Sequence, residues 1–442
     1  MKKNRQLIVV LLTILIIVLV FLIFLYFFKQ RNINSKGYPK IKEKNIIEEI
    51  LEENHEERIN KSFLNWLEKE YGNQKLSLLK EKLKSDNQEN IWHDIYHSSL
   101  NVLLDNYNNI YSNASNIQQV NTSTNQAQLS FIGDVSLADN WYIIPKYQER
   151  GKNIYGILSE ETVDILKNST LTIANNEFTI SNRGEKMPGK YYTFRASPNN
   201  LSIYQEMGVD LVTLANNHVY DFGEKAFQDT LEALKDFKIP YVGAGKNIDE
   251  AIQPYYFIVN GYKIAFLNAT RAEKLILTPE ATNDTGGVFR CYDPSLLIQQ
   301  IKKVRQNSDI VITLLHWGKE DSSSLEDVQV ETAKQYIEAG SDLIVGTHAH
   351  TLQGIDFYQG KAIIYNLGDF IFNHETKDTA IFQFIINNEK QFQYKIIPCQ
   401  QKEKYTSIKE GNEKVRILDK LRTLSPNVFF EETGNFYEKS TE

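Results

Sequence analysis

From Ala127 onward the sequence alternates short apolar runs of strand length with stretches of helical periodicity. Residues 129–133, 171–174, 211–215, 310–315 and 343–346 are the strand-length runs. Residues 224–237, 294–306 and 326–339 carry apolar side chains at helical spacing. Strands that alternate with helices call for an α/β sheet with helices on its faces. Hairpins interrupt the pattern. Segments 255–259 and 262–268 flank Asn260-Gly261, a type I′ turn signal. Segments 355–358 with 361–367, and 380–386 with 392–398, read as two more. The expected domain is therefore mixed α/β over 127–400.

Each run ends in a residue able to hold a metal or move a proton. The first ends in Gly133-Asp134 and the second in Asn175-Asn176-Glu177. The third ends in Asn216-Asn217-His218, with Asp221 and Gly223 beyond. The fourth ends in His316-Trp317-Gly318 with Glu320, and the fifth in His348-Ala349-His350. Taken singly, each has a plain structural reading: a turn, a helix cap or a core histidine. Taken together they converge, because open α/β sheets bind ligands outside the carboxyl ends of their strands. The chain has 8 histidines, and His218, His316, His348 and His350 all fall at these ends. Oxygen and imidazole donors without thiolate suit Mn, Fe or Zn, as one or two divalent ions. Cys291 and Cys399 are the only cysteines, so no thiolate cluster competes. Two ions would need a bridging carboxylate, and Glu177 is the candidate. His348 and His350 reach one cluster only if the backbone turns between them. Arg183, Lys186, Lys190 and Arg195 cluster after Glu177. They read either as a clamp for phosphate or carboxylate or as a solvated basic loop. Residues 271–288, with Gly286-Gly287, read as a lid.

The mean hydropathy of −0.40 conceals one apolar segment at 7–28, broken only by Thr13 and Tyr26. At ~1.5 Å rise per residue it spans the ~30 Å hydrocarbon core. No small-residue cleavage site follows it, so it reads as an uncleaved signal anchor. Lys2, Lys3 and Arg5 precede the span and Lys29, Arg31 and Lys36 follow it, a nearly balanced count; the short positive tail with its α-amino group tips residues 1–6 to the cytoplasmic side. The expected location is the cell membrane, single-pass, with the remainder outside. Residues 29–126 read as a helical membrane-proximal stalk and a polar linker, and 401–442 as a polar tail with one helical stretch. His93 and His97 at i, i+4 read as a helix face. A net charge of −7 without a long basic block excludes a nucleic-acid footprint.

These motifs resemble the CapA family of poly-γ-glutamate capsule biosynthesis proteins, of the calcineurin-like metallophosphoesterase superfamily. The stretches that carry the resemblance are Phe131-Ile-Gly-Asp134-Val, Ala174-Asn-Asn-Glu177, Ala215-Asn-Asn-His218 with Asp221, and Leu315-His-Trp-Gly-Lys-Glu320. Gly346-Thr-His-Ala-His350, Tyr365-Asn-Leu-Gly-Asp369-Phe-Ile-Phe372 and Tyr192-Thr-Phe-Arg195-Ala-Ser-Pro198 complete them. The resemblance implies a layered α/β/β/α domain. It places Asp134, Glu177 and His350 on one metal, and Glu177, Asn217, His316 and His348 on the other. It makes His218 the acid or transition-state stabiliser, with Asp221 its partner, and leaves Arg195, Arg183 and Lys190 for substrate. Ser136 stands where the superfamily usually has His, and Glu177 where it usually has Asp; the CapA type shares both. Asp369 stands where Asn is commoner and adds a carboxylate. The implied function is capsule synthesis or export through a metal-dependent phosphoesterase-like hydrolase or transferase site. The alternatives are a non-catalytic polymer-binding export component or a general metallophosphodiesterase. The implied partners are the membrane, polyglutamate synthase subunits, and an anionic polymer or phosphate-containing substrate.

Overall fold

The computed structural model describes residues 126–440 except 261, 274–276 and 388, with shorter stretches between 64 and 120. The anchor at 7–28, most of the stalk, and His55 and His97 lie outside the described residues. Among the described residues, no helix is long and apolar enough to cross a membrane. The chain divides into two compact units, the first ending at Leu103. In that unit the helices Asn73–Leu83 and Ile91–Tyr96 bury Leu76, Leu79, Trp92 and Ile95. The Trp92 and Tyr96 rings stack with centroids 6.0 Å apart.

The second unit is built on two sheets. One has the strand order Ile117–Val120, Tyr255–Val259, Tyr262–Thr270, Ile310–Trp317, Leu343–His348, Lys361–Ile364, Ile355–Tyr358. The other centres on Gln126–Val135, which pairs parallel with Leu171–Asn176 and antiparallel with Lys377–Asn387. Leu211–Thr213 and Tyr241–Val242 extend it in parallel on one side.

Side-chain parity shows how the layers stack. In Ile310–Trp317 every residue is buried. Ile310, Ile312 and Leu314 enter a core shared with Leu129, Phe131, Leu171 and Ile173 of the other sheet. Val311, Leu315 and Trp317 face the opposite way, toward Leu297, Ile301, Ala333 and Tyr336 of the helices Ser295–Arg305 and Asp327–Ala339. A strand buried on both faces reads as a continuous apolar run, as this one does. Helices Ile143–Glu149, Glu160–Asn168 and Gly223–Asp236 cover the outer face of the second sheet. The result is helix, sheet, sheet, helix.

The hairpin at Asn260 forms as expected, with Tyr262 opposite Val259 and Asn260 at φ 50°. Asn and Gly dominate such turns because they tolerate the left-handed region. Two segments differ from expectation. The linker contains the strand Ile117–Val120, paired in parallel with Tyr255–Val259. The segment after Gln401 is not a free tail. Tyr405–Ile408 pairs with Phe392–Lys402, and the helix Gly411–Leu424 buries Ile417, Leu418 and Leu421 in the inter-sheet core. Strands Val428–Phe430 and Asn435–Glu438 then lengthen the second sheet. Their apolar residues are sparse and divided among short elements, so the segment's polar average concealed them.

Candidate metal centre

The sequence positions the cluster through close backbone approaches. Asp134 lies near the end of the first strand of the second sheet, where it pairs in register with Asp369 and its N–H donates to Gly368 O at 2.9 Å. A Cβ on Gly133 would lie 1.8 Å from that same carbonyl, so only glycine allows the approach. The ladder to Leu171–Asn176 shifts register between Phe131 and Asp134. Accordingly Leu129 and Phe131 enter the inter-sheet core, whereas Ile132 and Val135 enter the outer one. The irregularity re-aims the strand end. Beyond Leu343–His348 the backbone does turn: His348 has φ 97° and His350 φ 53°. Left-handed histidines are costly, and such strain concentrates at functional sites.

Six expected ligands come together. Asp134 and Glu177 are fully buried, as are His316 and His348 within 1%. His316 Nε2 lies 3.6 Å from Glu177 Oε1 and 2.8 Å from Asn217 Oδ1. His350 Nδ1 lies 3.6 Å from Asp134 Oδ2, and its Nε2 lies 3.9 Å from Glu177 Oε1. Among the described residues, potential ligand atoms form three overlapping triads, each within 4.8 Å: Glu177, His348, His350; Asp134, Glu177, His316; and Asp134, His350, Asp369. Glu177, Asp134 and His350 each belong to two of them. The arrangement is one shared cluster, and Asp369 belongs to it.

Asn175 stands in the strand-end motif but was given no role of its own. Its Nδ2 donates to Asp134 Oδ1 at 2.8 Å and to Glu177 Oε2 at 3.1 Å. The signal in sequence was its place two residues before Glu177, within the strand-end motif. Asn216 braces the next loop: its Oδ1 accepts from the N–H groups of His218 and Val219, and its Nδ2 donates to Asn176 O.

A divalent cation suits this set. Glu177 Oε1 and His348 Nδ1 are buried without a hydrogen-bond partner. A buried polar atom left unpaired costs about 1–3 kcal/mol, so each such pair of electrons calls for an occupant. Burial pushes the Glu177 carboxyl well above its usual range, and the Asp134 charge adds to the effect. Burial also raises Asp134, against the pull of His350. His316 and His348 are driven well below the usual imidazole range by burial and by neighbouring imidazoles. They are therefore neutral, the form in which imidazole ligates. Burial also disfavours charge on His350, but Asp369, Asp134 and Glu320 outweigh it and hold the group at about 9.

His218 and Asp221 stand beside the cluster on the loop that carries Asn217. His218 Nδ1 lies 2.7 Å from Asp221 Oδ2, which leaves Nε2 as the ring nitrogen free for proton work. Phe194 packs on the His218 ring at 4.5 Å and donates its N–H to Asp221 Oδ2 at 2.8 Å.

The three cations expected at the substrate have different fates. Arg183 grips Asp229 with a fork of bonds at 2.6–3.1 Å on the surface. Lys190 is buried, with Nζ 2.8 Å from Asp221 Oδ1 and 3.2 Å from Glu273 Oε1, and it donates to Asn217 O. Both charges are consumed internally. Arg195 packs over Phe222 at 4.3 Å and donates to Gly184 O at 3.0 Å. Among the described residues it has no carboxylate partner. The 271–288 stretch is tied to the site, since Thr278 donates to Asn217 O at 2.9 Å and Glu273 pairs with Arg290 at 3.2 Å.

Residues 128–374 match the family described as bacterial capsule synthesis protein PGA_cap. The chain belongs to that family. It thereby falls in the metallophosphoesterase-like superfamily. Among curated proteins, the chain is 32% identical over 269 residues to the capsule biosynthesis protein CapA of Bacillus anthracis, covering 58% of this chain and 63% of that one. It is 28% identical to the PGA biosynthesis protein CapA of Bacillus subtilis (strain 168), over 61% of this chain and 70% of that one. It is 29% identical to a probable polyglutamine synthesis accessory protein of Mycobacterium tuberculosis, over 49% and 59%. The match thus spans less than two thirds of the Bacillus anthracis relative.

Proposed function

We propose that this chain acts in poly-γ-glutamate capsule synthesis or export through a metal-dependent, phosphoesterase-like hydrolase site. The observation that carries the reading is the pair of buried, unpartnered ligand atoms, Glu177 Oε1 and His348 Nδ1, inside overlapping carboxylate–imidazole triads. Asp134, Glu177, Asn217, His316, His348 and His350, joined by Asp369, would hold one or two divalent ions of Mn, Fe or Zn. A bound cation polarises a phosphoryl or carbonyl oxygen and makes water a better nucleophile at neutral pH. His218, oriented by Asp221, donates or accepts the proton at Nε2. Of Arg183, Lys190 and Arg195, Arg195 is the one left available for an anionic substrate. The apolar segment 7–28 anchors the chain in the cell membrane with the α/β domain outside, where the polymer and synthase subunits would meet it.

One observation favours a second, non-catalytic reading. Ser136 occupies the position where the superfamily usually supplies a further histidine, and its Oγ is buried without a partner. A site lacking that group could hold metal structurally while the domain binds nascent polymer.

The test is hydrolysis of a phosphodiester and of γ-glutamyl oligomers by the full metal-loaded chain, wild type against His218→Ala. Turnover on either class that falls at least ~100-fold in the variant supports the enzyme. Metal present with no turnover on either class leaves the polymer-binding reading.

A further inference from the structure

A second polar site lies where the hairpin that follows the metal ligands meets the end of the helix Ile143–Glu149, with Arg150 over the Tyr405 ring. Arg150, Lys402, Glu403, Tyr405, Ser407 and Lys409 line an open hollow of about 390 Å³. It holds three cations against one carboxylate, in a chain whose net charge is −7. Among the described residues, Arg150, Lys402 and Lys409 form no ion pair. Arg150 donates to Gly156 O at 2.6 Å, and its guanidinium carbon sits 5.5 Å over the Tyr405 ring. That arrangement fixes the fork and leaves other N–H groups open. Lys409 Nζ donates to Ser407 Oγ at 3.0 Å.

The local fold presents these groups as a row. Tyr405, Ser407 and Lys409 alternate along one strand direction, so they share a face. Lys402 stands opposite Tyr405 in register. The two-residue turn between them, Glu403-Lys404, has φ 53° and 65°. Both values are positive, which matches a tight hairpin that fixes the register. The adjoining hollow adds Lys395 against Glu161, while its Lys414 and Glu410 pair with each other at 3.9 Å.

The row is coupled to the metal centre through one residue. Gln401, fully buried, precedes Lys402. Its Oε1 accepts the N–H groups of Phe372 and Asn373, and its Nε2 donates to Asn373 Oδ1 at 2.9 Å. Asn373 in turn donates to Asp369 Oδ2 at 2.7 Å. The basic row and the ligand cluster are thus braced by the same strand.

We infer that the Arg150–Lys402–Lys409 hollow is an accessory binding site for a polycarboxylate chain. Unpaired cations in a row, on a molecule that is otherwise acidic, suit a polymer bearing one carboxylate per repeat. The inference rests on the capsule-polymer reading above and names where the polymer is held away from the metals.

The experiment uses the full chain and poly-γ-glutamate of defined length as the probe, with binding measured at two salt concentrations. The triple variant Arg150→Gln, Lys402→Gln, Lys409→Gln is compared with Lys235→Gln, Lys238→Gln, Lys246→Gln. The latter removes the same charge from a hollow that also carries Glu232 and Glu250. Metal content and thermal midpoint are recorded for each. Expected is a loss of roughly tenfold or more in affinity for the first triple, with a weaker salt dependence and unchanged metal, and little change for the second. Equal binding by wild type and the first triple overturns the inference while leaving the capsule reading intact. Equal losses in both triples also overturn it, as they indicate net charge alone. No binding by wild-type, metal-loaded protein overturns the inference and the polymer reading together.

Discussion

His350 Nδ1 lies 2.7 Å from Asp369 Oδ1, while the same nitrogen lies 3.6 Å from Asp134 Oδ2. Asp369 thus fixes the ring of a candidate ligand and supplies a carboxylate of its own. Groups that orient a ligating histidine typically matter ~10–100-fold in metal affinity. Asp369→Asn should weaken metal binding by that order, read by competition with a chromogenic chelator. Unchanged affinity would remove Asp369 from the site.

The same contact sets a pH dependence. In the metal-free chain His350 is held at about 9, so it is protonated at neutral pH. A folded value raised above the unfolded one contributes stability that is complete below about pH 6.5 and lost as pH rises through about 9. A cation must displace that proton. Metal affinity should therefore climb between pH 7 and 9, by up to about tenfold per unit for one proton, and level off above. Titration calorimetry at pH 7, 8 and 9 checks this, and a flat profile would contradict it.

Lys190 is held by two carboxylates in the interior, where Asp221 is fully buried. Removing one partner of a buried ion pair costs about 3–5 kcal/mol, because the other charge stays behind unpaired. Lys190→Met should lower stability to denaturant by that amount. Arg183→Gln breaks a pair at the surface and should leave the denaturation midpoint nearly unchanged. Equal effects would mean that Lys190 is not buried as described.

Ending the chain after Gln400 would remove Ile417, Leu418, Leu421, Val428, Phe430 and Phe436 from the inter-sheet core. It would also strip Tyr405–Ile408 from its partner strand. Each large apolar side chain lost is worth ~1.5–3 kcal/mol, so the six together come to about 9–18 kcal/mol, as much as the whole ~5–15 kcal/mol stability of a typical domain. The truncated chain should be insoluble or unfolded by circular dichroism. A folded, cooperative product would show that the domain closes before residue 401.

The strand-end residues were legible in sequence because the apolar runs are parallel strands whose carboxyl ends meet at one face of the two sheets. Glu177, His316, His348 and His350 all followed such runs, and they converge as that rule requires. The roles of Lys190 and Arg183 were not legible. Their carboxylate partners, Asp221, Glu273 and Asp229, lie 31 to 83 positions along the chain, and nothing local marks the pairing. Asn175 was hidden for another reason: a buried amide that braces two acids has no motif of its own. The strands at 117–120 and 405–438 escaped because short edge elements carry too few apolar residues to show a period.

Glu177 lies in two of the ligand triads and would be shared between the metal positions. Elemental analysis of the full chain, dialysed after loading with Mn, Fe or Zn, tests it most directly when wild type is set beside Glu177→Gln. Wild type should retain at least one equivalent of divalent metal and the variant should lose it, with both proteins folded. Wild type that retains no metal, or a variant that retains as much, would contradict it.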